Sequence, residues 1–229
     1  MGRILKNFIF NSFSQLLSII IPLITAPYLS RVLGPDNIGI ESYINAVSQI
    51  FYTIGMLGLT NYATREIAYV RESKTERSKV FWEMILDRVI VFSVTLAVFL
   101  IIGYFSPYKS FFIIQVGWLA AMFFDVSWFF IGMEMFELTV LRNFIVRMLT
   151  IISIFTLVKD ANDLRLYIIL CAISQLVGTI SILPQLSKYI EKVEFRKLNL
   201  WKHFIPSIKV FLPQFASVLY LQIDKVMIE

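Results

Sequence analysis

The stretch "PYLSRVLGPDNIGIESY", Pro27 to Tyr43, decides how the rest of the chain is read. It places an arginine, a Gly-Pro pair, an aspartate and a glutamate between two long apolar runs. Gly34-Pro35 is a chain-reversing pair, and proline is well suited to the first position of a following helix. The apolar runs on either side, about 8–30 and 38–62, are each long enough to cross a bilayer core of about 30 Å as a helix. The stretch therefore reads as a tight polar turn between two membrane spans.

The same pattern repeats outward from that turn. Further apolar segments fall at about 80–104, 110–132, 140–158, 164–187 and 207–228. Short polar joints separate most of them: "SPYK", "GMEMFE" and "KDANDLR". Two connections are longer. "REIAYVRESKTERSK" reads as a basic loop after span two, and "KYIEKVEFRKLNLWKHF" reads as a polar connection lying partly on the membrane surface. The N-terminal "MGRILKNFIF" resembles the start of a signal sequence, but no small-residue cleavage site follows, so it reads as the uncleaved start of span one.

Composition agrees. The chain has 229 residues, 58% hydrophobic and only 16% charged, with a mean hydropathy of +0.74. A soluble domain carries about 25% charged residues. Strands are excluded as membrane elements because no series of ten-residue alternating segments is present to close a barrel. The fold class expected is all-α: a polytopic membrane protein with a six-helix N-terminal lobe over 1–187, a cytoplasmic connection over 188–206, and a seventh helix over 207–229 that begins a second lobe.

The net charge of +5 is explained by lysine and arginine bias toward the cytoplasm rather than by nucleic acid. With the N-terminus inside, Arg65, Arg71, Lys74, Arg77 and Lys79 join Arg3, Lys6 and Arg142 there, as do Lys188, Lys192, Arg196, Lys197 and Lys202. Arg31, Lys109, Lys159 and Arg165 fall outside. The expected location is a bacterial cytoplasmic (inner) membrane, multi-pass, with a cytoplasmic N-terminus.

Several enzyme classes are excluded. Cys171 is the one cysteine and His203 the one histidine, so no thiolate or histidine-rich metal site can be built. No nucleotide-binding glycine loop or zinc-ligand spacing is present. No cofactor, metal or catalytic residue is expected. A membrane polymerase or glycosyl transferase usually carries a sizeable acidic or histidine-bearing loop, and the loops here are short and basic.

The polar residues within the spans are not scattered. Asn11, Ser18 and Thr25 in span one, Glu41, Asn45 and Ser48 in span two, Ser174 and Gly178 in span six, and Gln214 and Ser217 in span seven recur at helical spacings. These spacings are three, four or, in span one, seven (two helical turns), which puts each set on one helix face. Either the faces pack helix against helix, where small and polar residues are enriched, or they line a hydrated cavity. On the cavity reading the lining includes Asn11, Ser18, Glu41, Asn45, Asp125, Gln214 and Asp224. Pro22, Pro27 and Pro213 are candidate kinks.

Charges inside the spans carry the most information. Arg88, Arg147 and Asp125 sit at similar depth, roughly 10–12 Å from the cytoplasmic edge at 1.5 Å per residue. Each costs about 2.5–3.5 kcal/mol near the bilayer centre, so each needs a partner, water or a route to the surface; Asp125 can pair with Arg88 or Arg147. Arginine also suits phosphate, with its planar fork of donors and permanent charge. Arg31, Arg65, Arg88, Arg142 and Arg147 are the candidates to present such forks to an anionic cargo.

"YLSRVLGPDNIGIESY" followed by "GMLGLTNYATREIAYVR" resembles the N-terminal region of oligosaccharide flippases of the multidrug/oligosaccharidyl-lipid/polysaccharide exporter superfamily. The matching residues are Arg31, Leu33, Gly34, Pro35, Ile38, Gly39, Gly58, Leu59 and Arg65. "FLPQFASVLYLQIDKVMI" looks like the start of the second half of such a transporter. The resemblance implies two lobes of six helices around a cavity that opens alternately to each side. It implies an undecaprenyl-pyrophosphate-linked oligosaccharide as cargo, with cavity cations taking the pyrophosphate while the lipid tail stays in the bilayer. Membrane lipids, a coupling ion (H+ or Na+), and polysaccharide polymerase and export machinery are the further partners it implies. A drug or ion antiporter of the same fold is the alternative; it would depend on Glu41, Asp125 and Asp224 more than on the arginines.

Overall fold

The computed structural model of the chain describes residues 2–194, 198–199 and 201–227, with side chains from Ile9 onward. The side chains of Arg3, Lys6 and Asn7, and all of Arg196 and Lys197, lie outside the described residues. The elements run α1 (Gly2–Leu33), α2 (Pro35–Met56), α3 (Leu59–Val70), α4 (Lys74–Phe105), α5 (Lys109–Phe124), α6 (Ser127–Gly132), α7 (Phe136–Leu157), α8 (Leu164–Ile180), α9 (Leu183–Leu186) and α10 (Phe204–Met227), with a 3-10 turn at Ala161–Asp163 before α8. No strand occurs among the described residues. The chain is an all-α, multi-pass membrane protein.

The opening turn forms as its residues dictate. α1 stops at Leu33, Gly34 takes a φ of 81°, and Pro35 starts α2 at a position that needs no N–H donor. Asn37 then pins the corner, donating to the Leu33 carbonyl at 3.0 Å and to the Ala161 carbonyl at 2.7 Å.

Among the described residues, six segments are long and apolar enough to cross a membrane: 9–33, Lys74–Phe105, Lys109–Gly132, Phe136–Leu157, Ala161–Leu186 and Phe204–Met227. Expected span 38–62 is not among them. Its helix α2 is more polar and packs inward against α4, α5 and α10, and it ends at Met56. Leu57 and Gly58 both adopt left-handed backbone, with φ of 43° and 68°. A leucine there is uncommon, and a glycine is the residue best able to hold the second position. The expected basic loop after span two is likewise mostly helix: α3 continues to Val70 and α4 begins at Lys74, capped by the Ser73 hydroxyl accepting from the Glu76 N–H at 3.3 Å. The periodic "YATREIAYV" is the reason, since its apolar residues Tyr62, Ala63 and Ile67 are buried.

α1 and α10 run through Pro22, Pro27 and Pro213 without interruption. The expected spans break elsewhere, at Gly58, at Asp125-Val126 between α5 and α6, and at Ser181-Ile182 between α8 and α9, just ahead of Pro184. Exposed apolar residues cover the outer faces, among them Ile19 and Leu23 on α1, Leu149 and Ile152 on α7, and Tyr220 and Leu221 on α10. Such faces suit hydrocarbon and not water. The connection after α9 lies along α4. Arg77 Nε donates to the Tyr189 carbonyl at 2.8 Å, Trp82 Nε1 to the Glu191 carbonyl at 3.1 Å, and the Glu191 N–H to the Ser78 hydroxyl at 2.8 Å.

The main core cluster joins α3, α4 and α6 through Ile67, Phe81, Met84, Trp128 and Phe129. Gly132 permits a close approach of α6 to α3. A Cβ there would lie 2.7 Å from the Thr64 carbonyl oxygen and 2.9 Å from Ile67. At Gly117, a Cβ would make ordinary contact with Leu176 at 3.6 Å. Gly132→Ala should therefore cost about 1–3 kcal/mol through overpacking, read as a lower melting temperature in detergent, whereas Gly117→Ala should be neutral or stabilising.

Candidate functional site

Asp125-Val126-Ser127 breaks the fourth span because short polar side chains compete with the helix for its backbone bonds. Asp125 is extended, with φ of −74° and ψ of 108°. Its carboxylate accepts from the Ser127 N–H at 2.9 Å and from the Ser127 hydroxyl, so it restarts the chain as α6. The break leaves carbonyls that no helix partner can satisfy, and in hydrocarbon they need one.

Arg88 supplies it. Its side chain is fully buried, and Nη1 donates to the Asp125 carbonyl at 2.6 Å and the Phe123 carbonyl at 3.3 Å. The guanidinium also lies over the Trp128 ring, 5.6 Å from its centroid, a cation–π arrangement. Asp125 thus meets Arg88 through its main-chain oxygen, while its carboxylate is committed to Ser127. The pairing of Asp125 with Arg147 anticipated from depth alone is not made.

Ser127 passes the arrangement on. Its hydroxyl accepts from Arg142 Nη2 at 3.0 Å, and Asn143 Oδ1 accepts from Arg142 Nη2 at 2.6 Å and Nε at 3.1 Å. Arg142 Nη1 is buried without a hydrogen-bond partner among the described residues. Arg147, five residues further along α7, has no hydrogen-bond or ion-pair partner among the described residues.

Both arginines line a cavity of about 480 Å³. Its wall is one face of α7, with Arg142, Asn143, Val146, Arg147, Thr150 and Ile154, and one face of α8, with Tyr167, Cys171, Ser174, Gln175, Gly178 and Thr179. α1 adds Ile21 and Thr25, α2 adds Asn45, and the α5–α6 region adds Trp118, Asp125 and Ser127. Thr150 and Ser174 hydrogen-bond to each other across the α7–α8 seam. Asn45 is held from below by Glu41, whose Oε1 accepts from Asn45 Nδ2 at 3.0 Å. Two permanent cations, several amides and hydroxyls, and one committed carboxylate give this hollow the chemistry to take an anion with polar substituents.

The residues singled out by sequence scatter around it. Arg142, Arg147, Asn45 and Asp125 line the cavity. Arg88 lies behind its wall, as described. Arg31 is exposed at the end of α1. Arg65 sits on α3 over the Tyr62 ring at 5.4 Å and beside Glu66 at 3.7 Å. Asn11 and Ser18 are exposed on α1, and Ser18 bonds the Gln15 carbonyl at 2.6 Å. Gln214 and Asp224 lie on α10, with Gln214 Oε1 buried and Asp224 exposed. None of these six lines the cavity. Sequence reading missed Ser127, Asn143, Thr150, Tyr167 and Gln175. The signal was present on α7, where Asn143, Arg147 and Thr150 recur at spacings of four and three.

The family model described as "Polysaccharide biosynthesis protein" matches residues 4–229. A protein of Escherichia coli (strain K12) named "Putative O-antigen transporter" is 25% identical over 221 residues, covering 94% of this chain and 53% of the relative. One of the same name from Shigella dysenteriae is 28% identical over 202 residues, covering 86% of this chain and 50% of the relative. A third, from Shigella flexneri, is 36% identical over 78 residues, covering 34% of this chain and 18% of the relative. The chain thus spans about half the length of the first two of these. No solved structure matches it.

The wall at Asp125 makes a direct prediction. Asp125→Ala removes the acceptor that restarts α6 and should cost about 0.5–2 kcal/mol, the range for a lost cap. Asp125→Asn keeps an acceptor and should fall between it and the parent. Thermal unfolding in detergent gives the order; an Asp125→Ala protein as stable as the parent would contradict the assigned role.

Proposed function

We propose, from the premise that this chain belongs to the polysaccharide biosynthesis protein family, that it contributes the first lobe of an exporter of lipid-linked oligosaccharide repeat units. The observation that carries the reading is the arginine-bearing cavity inside an apolar multi-pass bundle. A charged glycan head group cannot cross about 30 Å of hydrocarbon unaided. A hollow that replaces its hydration with fixed donors removes that barrier.

In this reading Arg142 and Arg147 take the pyrophosphate of an undecaprenyl carrier. Arg142 is oriented by Ser127 and Asn143. Asn45, Thr150, Ser174 and Gln175 offer hydrogen bonds to the sugars, and the prenyl tail stays in lipid. A volume of about 480 Å³ lies within the usual range of about 300–1,000 Å³ for small-molecule sites, so this lobe holds the head of the cargo rather than a whole glycan. The domain division belongs to the same proposal: a lobe over 1–187, a connection over 188–206, and a helix over 207–229 that opens a second lobe. So do alternating access, the inner-membrane location and the cytoplasmic N-terminus.

The antiporter alternative draws less support from the geometry. Of its three acids, Asp125 alone lines the cavity, and its carboxylate is taken up by Ser127. Glu41 holds Asn45, and Asp224 is exposed on α10.

Export of lipid-linked repeat units, measured in cells or proteoliposomes with the full reading frame of the gene, tests the proposal. Arg142→Ala and Arg147→Ala should each lower export at least tenfold at normal protein levels, and Arg31→Ala should leave it within twofold. Unchanged export in both cavity variants would remove the head-group assignment.

A further inference from the structure

The chain's single histidine lies at the entrance to α10, outside the lining of the cavity just described, and is fully buried. Its Nε2 is 2.9 Å from Glu83 Oε2 on α4. Its Nδ1 is 3.0 Å from the Tyr62 hydroxyl on α3. The other carboxylate oxygen of Glu83, itself fully buried, accepts from the Asn199 N–H at 2.8 Å. One imidazole and one carboxylate thus tie two helices of the bundle to the segment that leads into α10.

The seat of α10 is equally close. A Cβ on Gly58 would lie 2.8 Å from the Ser207 carbonyl oxygen and 2.9 Å from the Phe211 nitrogen. The backbone of α10 therefore rests on the left-handed break between α2 and α3. Ser207 in turn donates its N–H to the His203 carbonyl at 3.0 Å.

The partners set the protonation state. A carboxylate only accepts, so Nε2 carries the proton toward Glu83, and Nδ1 accepts from the Tyr62 hydroxyl. Every ring nitrogen is satisfied with the imidazole neutral. A second proton on Nδ1 would turn that acceptor into a donor, so the Tyr62 hydroxyl would have to turn and accept, and its own proton would lose the acceptor it has now. The charged groups facing the site are Glu83 and Asp87 on α4, Glu66 and Arg65 on α3, and Lys202 beside the ring. Asp87 Oδ2 is buried without a hydrogen-bond partner among the described residues and lines a hollow of about 60 Å³ with Ile90, Trp201 and Phe204.

We propose that Tyr62, Glu83 and His203 form a proton-binding site that latches the entrance of α10 onto the bundle, closed with a neutral imidazole and loosened when it takes up a proton. The site is independent of what the cavity carries. Burial pushes the His203 pKa below the ordinary value, while the hydrogen bond and charge of Glu83 pull the other way. The sign follows. A base whose folded pKa is depressed contributes stability that is fully present above its free pKa of about 6.5 and is lost as pH falls below it.

Hydrogen exchange of the full-length protein in nanodiscs, corrected for the intrinsic pH dependence of exchange, reads the latch at peptides covering Asn199 and Ser207. Protection there should fall at least tenfold from pH 8 to pH 5.5, while peptides of α5 and α8 hold constant. His203→Gln can donate to Glu83 and accept from Tyr62, so it should keep the protection and lose the pH dependence. Tyr62→Phe retains the histidine but removes the oxygen that a protonated Nδ1 would donate to, and an unpaired buried cation costs more than an unpaired neutral nitrogen, so the midpoint should move down in pH. Flat protection in the parent, an unchanged pH profile in His203→Gln, or an unmoved midpoint in Tyr62→Phe would each overturn the proposal.

Discussion

The structure turns on how one buried guanidinium satisfies a broken membrane helix. Hydrocarbon offers no partner to a free carbonyl, so a span can break only where protein supplies the missing donor. Arg88 supplies it at Phe123 and Asp125. That bond lets the fourth span change direction, which frees the Asp125 carboxylate to hold Ser127. Ser127 then fixes Arg142 at the cavity wall. A residue outside the cavity thereby decides the geometry of one inside it.

The second break has a different cause. Leu57 and Gly58 end α2 in left-handed backbone, and the space where a side chain would stand at Gly58 is filled by the backbone of α10. One break is thus held by charge and the other by the lack of a Cβ. Together they divide the bundle into a polar cavity among α1, α2, α5, α7 and α8 and a dense apolar cluster where α3, α4 and α6 meet.

The fold class and the Gly34-Pro35 turn were legible in the sequence because they depend on local chemistry: runs of apolar residues, and a proline at the first helical position. Proline was an unreliable signal for breaks. α1 and α10 run through their prolines, while the spans that break do so at a glycine, at an aspartate and, between α8 and α9, just ahead of Pro184. Charge inside a span told which residues matter but not what they touch. Arg88 and Arg147 look alike in sequence, yet one is sealed behind the wall bonding main-chain oxygens and the other faces the cavity. His203 and Glu83 stand 120 residues apart, and no local pattern marks two polar residues that meet only through tertiary packing.

In the function proposed above, the cavity recognises the phosphate end of a lipid carrier. Native mass spectrometry of the purified full-length protein with undecaprenyl pyrophosphate, and with undecaprenol as the uncharged control, tests it most directly. The account predicts that the pyrophosphate lipid is retained, that undecaprenol is not retained above the level of bulk lipid, and that replacing Arg142 and Arg147 together by alanine abolishes the difference. Equal retention of the two lipids by the parent protein, or undiminished retention of the pyrophosphate by the double variant, would contradict it.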